Sequence, residues 1–137
     1  MPVISIKSLP AGRKVKTSKI LAKVCAETAK TIGYKPRHVW ATWEFLEPKN
    51  YAVGNKLGKK LTKTTHSPIV RILAFEGAPQ SRINKMMTKV AEILARELKI
   101  DIGNIFIEYC EARSGKVFDG GKVVYTKGKK RSERSNL

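Results

Sequence analysis

The sequence predicts an α/β (α+β) fold of two βαβ repeats about a pseudo-two-fold axis, giving a four-stranded mixed sheet with two helices on one face. The first observation behind this is internal repetition. A gap-free shift of 66 positions carries Pro2 onto Pro68, Ile6 onto Ile72, Lys19 onto Lys85, Val24 onto Val90, Gly54 onto Gly120 and Lys56 onto Lys122. An offset this large exceeds solenoid periods, so two halves packed about an axis are the natural geometry. The second observation is that each half reads strand, helix, strand, a unit whose two strands run parallel. The third is alternation within the second strand of each half. Val39, Ala41, Trp43, Ile105, Ile107 and Tyr109 fall on one face, while Trp40, Thr42, Glu44, Phe106, Glu108 and Cys110 fall on the other.

Each element has a local cause. Residues 3–9 form a β-branched strand opened by Pro2, which lacks the N–H a ladder needs and is tolerated at a strand's first position. Pro10-Ala11-Gly12 breaks it, and a helix over about 14–32 follows, with Ile20, Leu21, Val24, Thr28 and Ile32 on one face. Gly33 ends that helix, and a strand over about 38–46 carries two tryptophans and a phenylalanine. The second half repeats the order: a strand at 69–75, the breaker Gly77-Ala78-Pro79, a helix with Ile83, Met87, Val90, Leu94 and Leu98 on its core face, and a strand at 104–112. A face mixing large aromatics with carboxylates suits a subunit interface that also holds a pocket.

Composition narrows the function classes. At 137 residues with 42% apolar and 28% charged side chains, one globular domain over 1–126 is expected, followed by a basic disordered tail at 127–137. No apolar run approaches a membrane span and no signal-peptide layout opens the chain, so the expectation is a cytoplasmic protein with no membrane partner. Cys25 and Cys110 read as reduced, packed thiols. His38 and His66 lack a second ligand at helical or loop spacing, so neither metal nor cofactor is expected. The net charge of +17 draws anions. Basic clusters at Arg13, Lys14, Lys16 and Lys19, and at Lys56, Lys59, Lys60 and Lys63 in a loop, lack the aromatic and glycine motifs of RNA-binding sheets. Nucleic acid is therefore a possible but not favoured partner.

Pro2 has two readings, a residue that simply opens a strand or a candidate for chemistry. Freed of Met1, it presents a secondary amine at the edge of a sheet, and desolvation or nearby cations pull such an amine toward neutral pKa, where it works as a general base. With Met1 attached, its nitrogen is an amide without a basic lone pair.

The chain resembles the tautomerase superfamily, which includes 4-oxalocrotonate tautomerase and macrophage migration inhibitory factor. The resemblance rests on Pro2 and Pro68 opening strands, on Gly33-Tyr34-Lys35-Pro36, and on residues 94–100 leading into Ile105-Phe106-Ile107-Glu108-Tyr109. It covers about residues 2–120. That last stretch is similar to the cytokine-type branch, while residues 109–120 are similar to a two-repeat bacterial and archaeal branch, and both stay open. The resemblance implies a homotrimeric tautomerase or isomerase in which Pro2 shuttles a proton on a small anionic carbonyl compound, an enol or α-keto acid. Lys35 and Arg13 match substrate-binding positions loosely. The departures are Trp40, where one branch has a carboxylate-binding arginine, and Phe106 and Glu108, where the other has a tyrosine and an asparagine. These five residues form the expected substrate-binding set beside Pro2, with Glu108 opposing any depression of the amine pKa. The alternative is a non-catalytic member that binds nucleic acid or another polyanion through its basic surface.

Overall fold

A computed structural model describes residues 1–11, 14–58, 60–62 and 67–126. Arg13, Lys59, Lys63, His66 and the tail at 127–137, all named above, lie outside the described residues. In chain order the elements are β1 (Val3–Ser8), α1 (Thr17–Ile32), β2 (Trp40–Phe45), the short strands β3 (Ala52–Val53) and β4 (Lys56–Leu57), β5 (Ile69–Phe75), α2 (Gln80–Leu98), β6 (Phe106–Ala112), β7 (Val117–Asp119) and β8 (Lys122–Val124). The main sheet has the order β2-β1-β5-β6. β1 runs parallel to β2 and β5 parallel to β6, while β1 and β5 are antiparallel at the centre, so the sheet is mixed.

The repeat holds to the level of single positions. The 3-10 turn Pro36–His38 shifts onto the 3-10 turn Ile102–Asn104. Trp40 N–H donates to the Pro2 carbonyl at 3.0 Å, and Phe106 N–H donates to the Pro68 carbonyl at 3.2 Å, again the shifted pair. The segment holding Lys56 was expected as loop, and it forms the β3–β4 hairpin. Its shifted counterpart is the β7–β8 hairpin, and Gly54 and Gly120 sit at matching turns with φ of 61° and 62°.

The core lies between the sheet and the helices. Ile4 and Ile6 of β1, Val70 and Ile72 of β5, Val24 of α1 and Val90, Ile93 and Leu94 of α2 are all but fully buried. Burying each of these side chains contributes about 1.5–3 kcal/mol, so this layer dominates folding. Helix α2 differs slightly from the expected face, because Met86 and Ile93 are buried while Met87 packs only partly against the core. The 3.6-residue period makes the apolar stripe wide enough to admit both neighbours. Helix α1 begins at Thr17, three residues later than expected, and Lys16 precedes it without a side-chain cap.

Both helices end in a left-handed residue, Gly33 at φ 75° and, at the shifted position, Lys99 at φ 54°. A lysine Cβ is strained there where glycine is not. Lys99→Gly is therefore expected to stabilise the fold by about 1 kcal/mol, and Gly33→Ala to destabilise it by a similar amount. The midpoints of urea unfolding check both signs.

Candidate functional site

A cavity of about 420 Å³ opens where the first repeat's helix end meets the second repeat's strand ends. Pro2 forms part of its wall and is itself fully buried. The backbone explains why Pro2 stays put, since its carbonyl is tied to β2 through Trp40 N–H. Tyr34 comes from the turn after α1. Gly33 reverses the chain in the left-handed region, Tyr34 N–H donates to the Ala29 carbonyl at 2.8 Å, and the Tyr34 ring stands edge-on to His38 with centroids 6.4 Å apart. Such edge contacts favour one ring orientation over free rotation.

The opposite wall belongs to the second repeat. β5 delivers Ala74 and Phe75, the strand ends at Glu76, and Gly77 at φ 104° turns the chain toward α2. Arg82 sits in the first turn of α2, where unpaired backbone N–H groups already favour negative charge. Tyr109 projects from β6 toward the helices rather than toward the uncovered face, as its odd position requires.

Electrostatics single out two groups. The Tyr109 hydroxyl is buried and has no hydrogen-bond partner among the described residues. Burial pushes its pKa up, Glu111 and Tyr34 push the same way, and Arg82 opposes them. The phenol therefore stays protonated, a donor without an acceptor. At the chain's start, burial lowers the Met1 amino pKa, with the Asp119 carboxylate opposing. The site thus holds a cation, hydroxyl donors and an amino terminus that desolvation biases toward its neutral form. That combination can grip a small carboxylate and move a proton beside it.

Of the residues expected from sequence, only Pro2 lines this cavity. Lys35 is exposed, one residue beyond Tyr34, and Trp40 is exposed on the uncovered sheet face. Phe106 and Glu108 line a second cavity on that face, of about 320 Å³, with Ser5, Lys7, Ile69 and Arg71. There Arg71 pairs with Glu108 at 3.2 Å. Arg13 is outside the described residues. The separation is a matter of pleat, because Trp40, Phe106 and Glu108 share the parity that faces away from the helices, and the Pro2 cavity opens on the helix side.

Tyr34, Glu76, Arg82 and Tyr109 were not singled out from sequence, yet the repeat contains their signal. The shift relates them to Ile100, Pro10, Lys16 and Trp43, so three polar cavity residues answer to apolar ones. In the other half Ile100, the counterpart of Tyr34, is buried, as are Leu9 and Leu61, and buried Ser67 accepts Leu9 N–H on its Oγ at 2.9 Å. Trp43 Nε1, on the counterpart of Tyr109, donates to Ser8 Oγ at 3.0 Å.

Removing an unsatisfied buried hydroxyl while keeping the ring relieves a desolvation cost of about 1–3 kcal/mol. Tyr109→Phe is therefore expected to be as stable as the parent or more so. A loss of more than about 1 kcal/mol in denaturant unfolding would show that the hydroxyl is stably satisfied.

No family model matches the chain, and no curated protein matches it. Solved structures do. A fused 4-OT wild-type asymmetric trimer is 16% identical with a TM-score of 0.76, covering 88% of this chain and 94% of that one. Pt0534 inactivated by 2-oxo-3-pentynoate is 11% identical with a TM-score of 0.75, covering 89% of this chain and 94% of that one. A member of the cis-3-chloroacrylic acid dehalogenase family is 11% identical with a TM-score of 0.68, covering 98% of this chain and 96% of that one. At such identities the likeness is one of fold. The paired repeats, the mixed sheet and these three likenesses together give the chain the βαβ fold of the tautomerase superfamily.

Proposed function

We propose that the protein is a tautomerase-like enzyme in which the Pro2 amine, once Met1 is removed, acts as general acid and base on a small α-keto or enol acid. The observation that carries this is the lining of one cavity by Pro2, Arg82, Tyr34 and Tyr109. In the proposed reaction Arg82 holds the substrate carboxylate and the neutral amine takes a proton from the carbon next to the carbonyl. The electron pair moves onto the carbonyl oxygen, where a tyrosine hydroxyl stabilises the enolate by donating to it. The resulting ammonium delivers its proton to the enolate oxygen, which gives the enol and restores the neutral amine; the reverse sequence converts enol to keto acid. No step calls for a cofactor. The proposal gives no role in this cavity to Lys35, Trp40, Phe106 or Glu108.

The assembly we propose is a homotrimer. A fused 4-OT of the same fold is described as a trimer, and the uncovered face here presents Trp40 and Phe106 about half exposed. A closed ring covers such a face and the sheet's two edges. Light scattering at micromolar concentration is expected to give three times 15.3 kDa, and a single-chain mass would exclude the trimer.

The relative inactivated by 2-oxo-3-pentynoate supplies a probe. If Pro2 is a neutral amine in the cavity, its nitrogen adds to the distal alkyne carbon, and after proton uptake the N-terminal peptide gains the whole mass of the reagent. Arg82→Ala is expected to slow this labelling by about tenfold or more through loss of a charge-assisted contact. A protein keeping an extra N-terminal residue is expected not to label at Pro2. Equal labelling with and without that block would exclude the proline mechanism and leave the polyanion-binding reading, which heparin retention then tests.

The pH dependence has a fixed sign. Burial lowers the Met1 amino pKa; if the Pro2 amine, one residue further into the same cavity, is desolvated in the same direction, its neutral form predominates from lower pH than in a free α-amine, which titrates near about 8. Labelling should rise with pH and level off before that value. Asp119 favours the ammonium form of the Met1 amine, and the proposal extends that influence to the adjacent Pro2 amine, so Asp119→Asn is expected to move the rise to still lower pH. A rise centred at or above the free-amine value would contradict desolvation of the amine.

A further inference from the structure

The two hairpins of the repeat are followed by segments that return to the main body, and they are fastened by different chemistry. After β3–β4, Leu61 N–H donates to the Pro10 carbonyl at 2.8 Å, and Ala11 and Leu61 form an isolated parallel bridge. After β7–β8 the shifted position of Pro10 is Glu76, and the fastening uses side chains. Glu76 Oε1 accepts from Thr126 Oγ1 at 3.3 Å and from Ser114 N–H at 3.4 Å, and Thr126 N–H donates to Ser114 Oγ at 3.0 Å. Ser114 is buried, and Glu76's own N–H donates to the Ala112 carbonyl at 3.0 Å, which fixes the carboxylate's base against the end of β6.

Both ends of this clasp belong to the Pro2 cavity, since Glu76 and Thr126 each line it. We infer that Glu76 is a positioning residue whose carboxylate, by accepting from Ser114 and Thr126, holds Thr126, two residues after β8, as a wall of the cavity and so limits the size of molecule that reaches Pro2. Two contacts at the long end of hydrogen-bond range are individually modest, but they share one charged acceptor and close a ring through Ser114. The size-selection consequence rests on the Pro2 reading, whereas the clasp itself does not.

The test uses the full chain with Glu76→Gln, Glu76→Ala and Thr126→Val. Amide exchange at Ser114 and Thr126, followed by NMR, is expected to speed up by about tenfold in Glu76→Ala while the core amide of Val90 is unchanged, as for a local opening. Glu76→Gln keeps an oxygen acceptor and is expected to stay within about threefold of the parent. Labelling of the N-terminal amine is then compared for 2-oxo-3-pentynoate and for a reagent bearing an aryl group in place of its methyl. The preference for the smaller reagent is expected to fall severalfold in Glu76→Ala and Thr126→Val and to survive in Glu76→Gln. Unchanged exchange in Glu76→Ala overturns the clasp, as does Glu76→Gln behaving like Glu76→Ala, and unchanged size preference overturns the wall. If Glu76→Ala fails to fold, Thr126→Val carries both readings. A parent protein that labels with neither reagent refutes the Pro2 reading, and the exchange data still decide the clasp.

Discussion

Everything in this fold hangs on the antiparallel pairing of β1 with β5. Their register sets Ser5 opposite Arg71, positions that the repeat relates to each other, so the pseudo-two-fold axis passes between them. From that pair outward the ladder places Ile4 against Ile72 and Ile6 against Val70, all buried beneath the helices. A slip of one residue would turn one strand's pair, Ile4 and Ile6 or Val70 and Ile72, to the uncovered face and bring Ser5 and Lys7, or Arg71, under the helices, an exchange no rearrangement of the loops could offset. The parallel strands β2 and β6 then add at the edges, and each helix crosses over its own half. Cross-helix ion pairs such as Arg96 with Glu27 lie at the exposed surface, where their contribution is small next to the buried layer.

How far the sequence discloses this depends on what sets each feature. The four main strands and two helices are legible because burial of one face imposes a period of two or 3.6 on the apolar residues, and nothing distant overrides it. Their ends are less legible. Residues 36–38 and 102–104 tighten into 3-10 turns before β2 and β6, which postpones the strands without changing the apolar pattern. The hairpins β3–β4 and β7–β8 are made of strands of two or three residues, too short for any periodicity to register. Their sequence trace is the shared glycine at Gly54 and Gly120 and the shared lysine at Lys56 and Lys122.

The candidate site was far less legible than the fold. Pro2 was readable because its chemistry depends on its position in the chain. Arg82 and Tyr109 were not, because a basic residue in a helix's first turn and a tyrosine in a strand each have an ordinary explanation. What brings them to one cavity is the meeting of α2's first turn with β6 and the start of β1, which no local pattern encodes. The expected partners Trp40, Phe106 and Glu108 were chosen for chemistry on the right strands, and strand parity puts them on the opposite face of the sheet.

A duplicated fold offers two equivalent sets of positions, and this chain occupies them with different side chains. Beside Pro68 the repeat has Pro10, Trp43 and buried Ile100, the apolar choice that hydrophobic burial favours on its own. Beside Pro2 the corresponding positions carry Glu76, Tyr109 and Tyr34, and Tyr109 keeps a buried hydroxyl without a partner among the described residues. Folding alone gives no reason to retain that set, since each polar group must be desolvated and the open space forgoes packing contacts. Pro68 also has an acylated nitrogen by virtue of lying within the chain, so an open cavity there would face no amine. Tyr34, Glu76 and Tyr109 thus stand in the same half as Pro2, the proline whose nitrogen the proposed reaction uses, and their apolar counterparts stand in the half of Pro68.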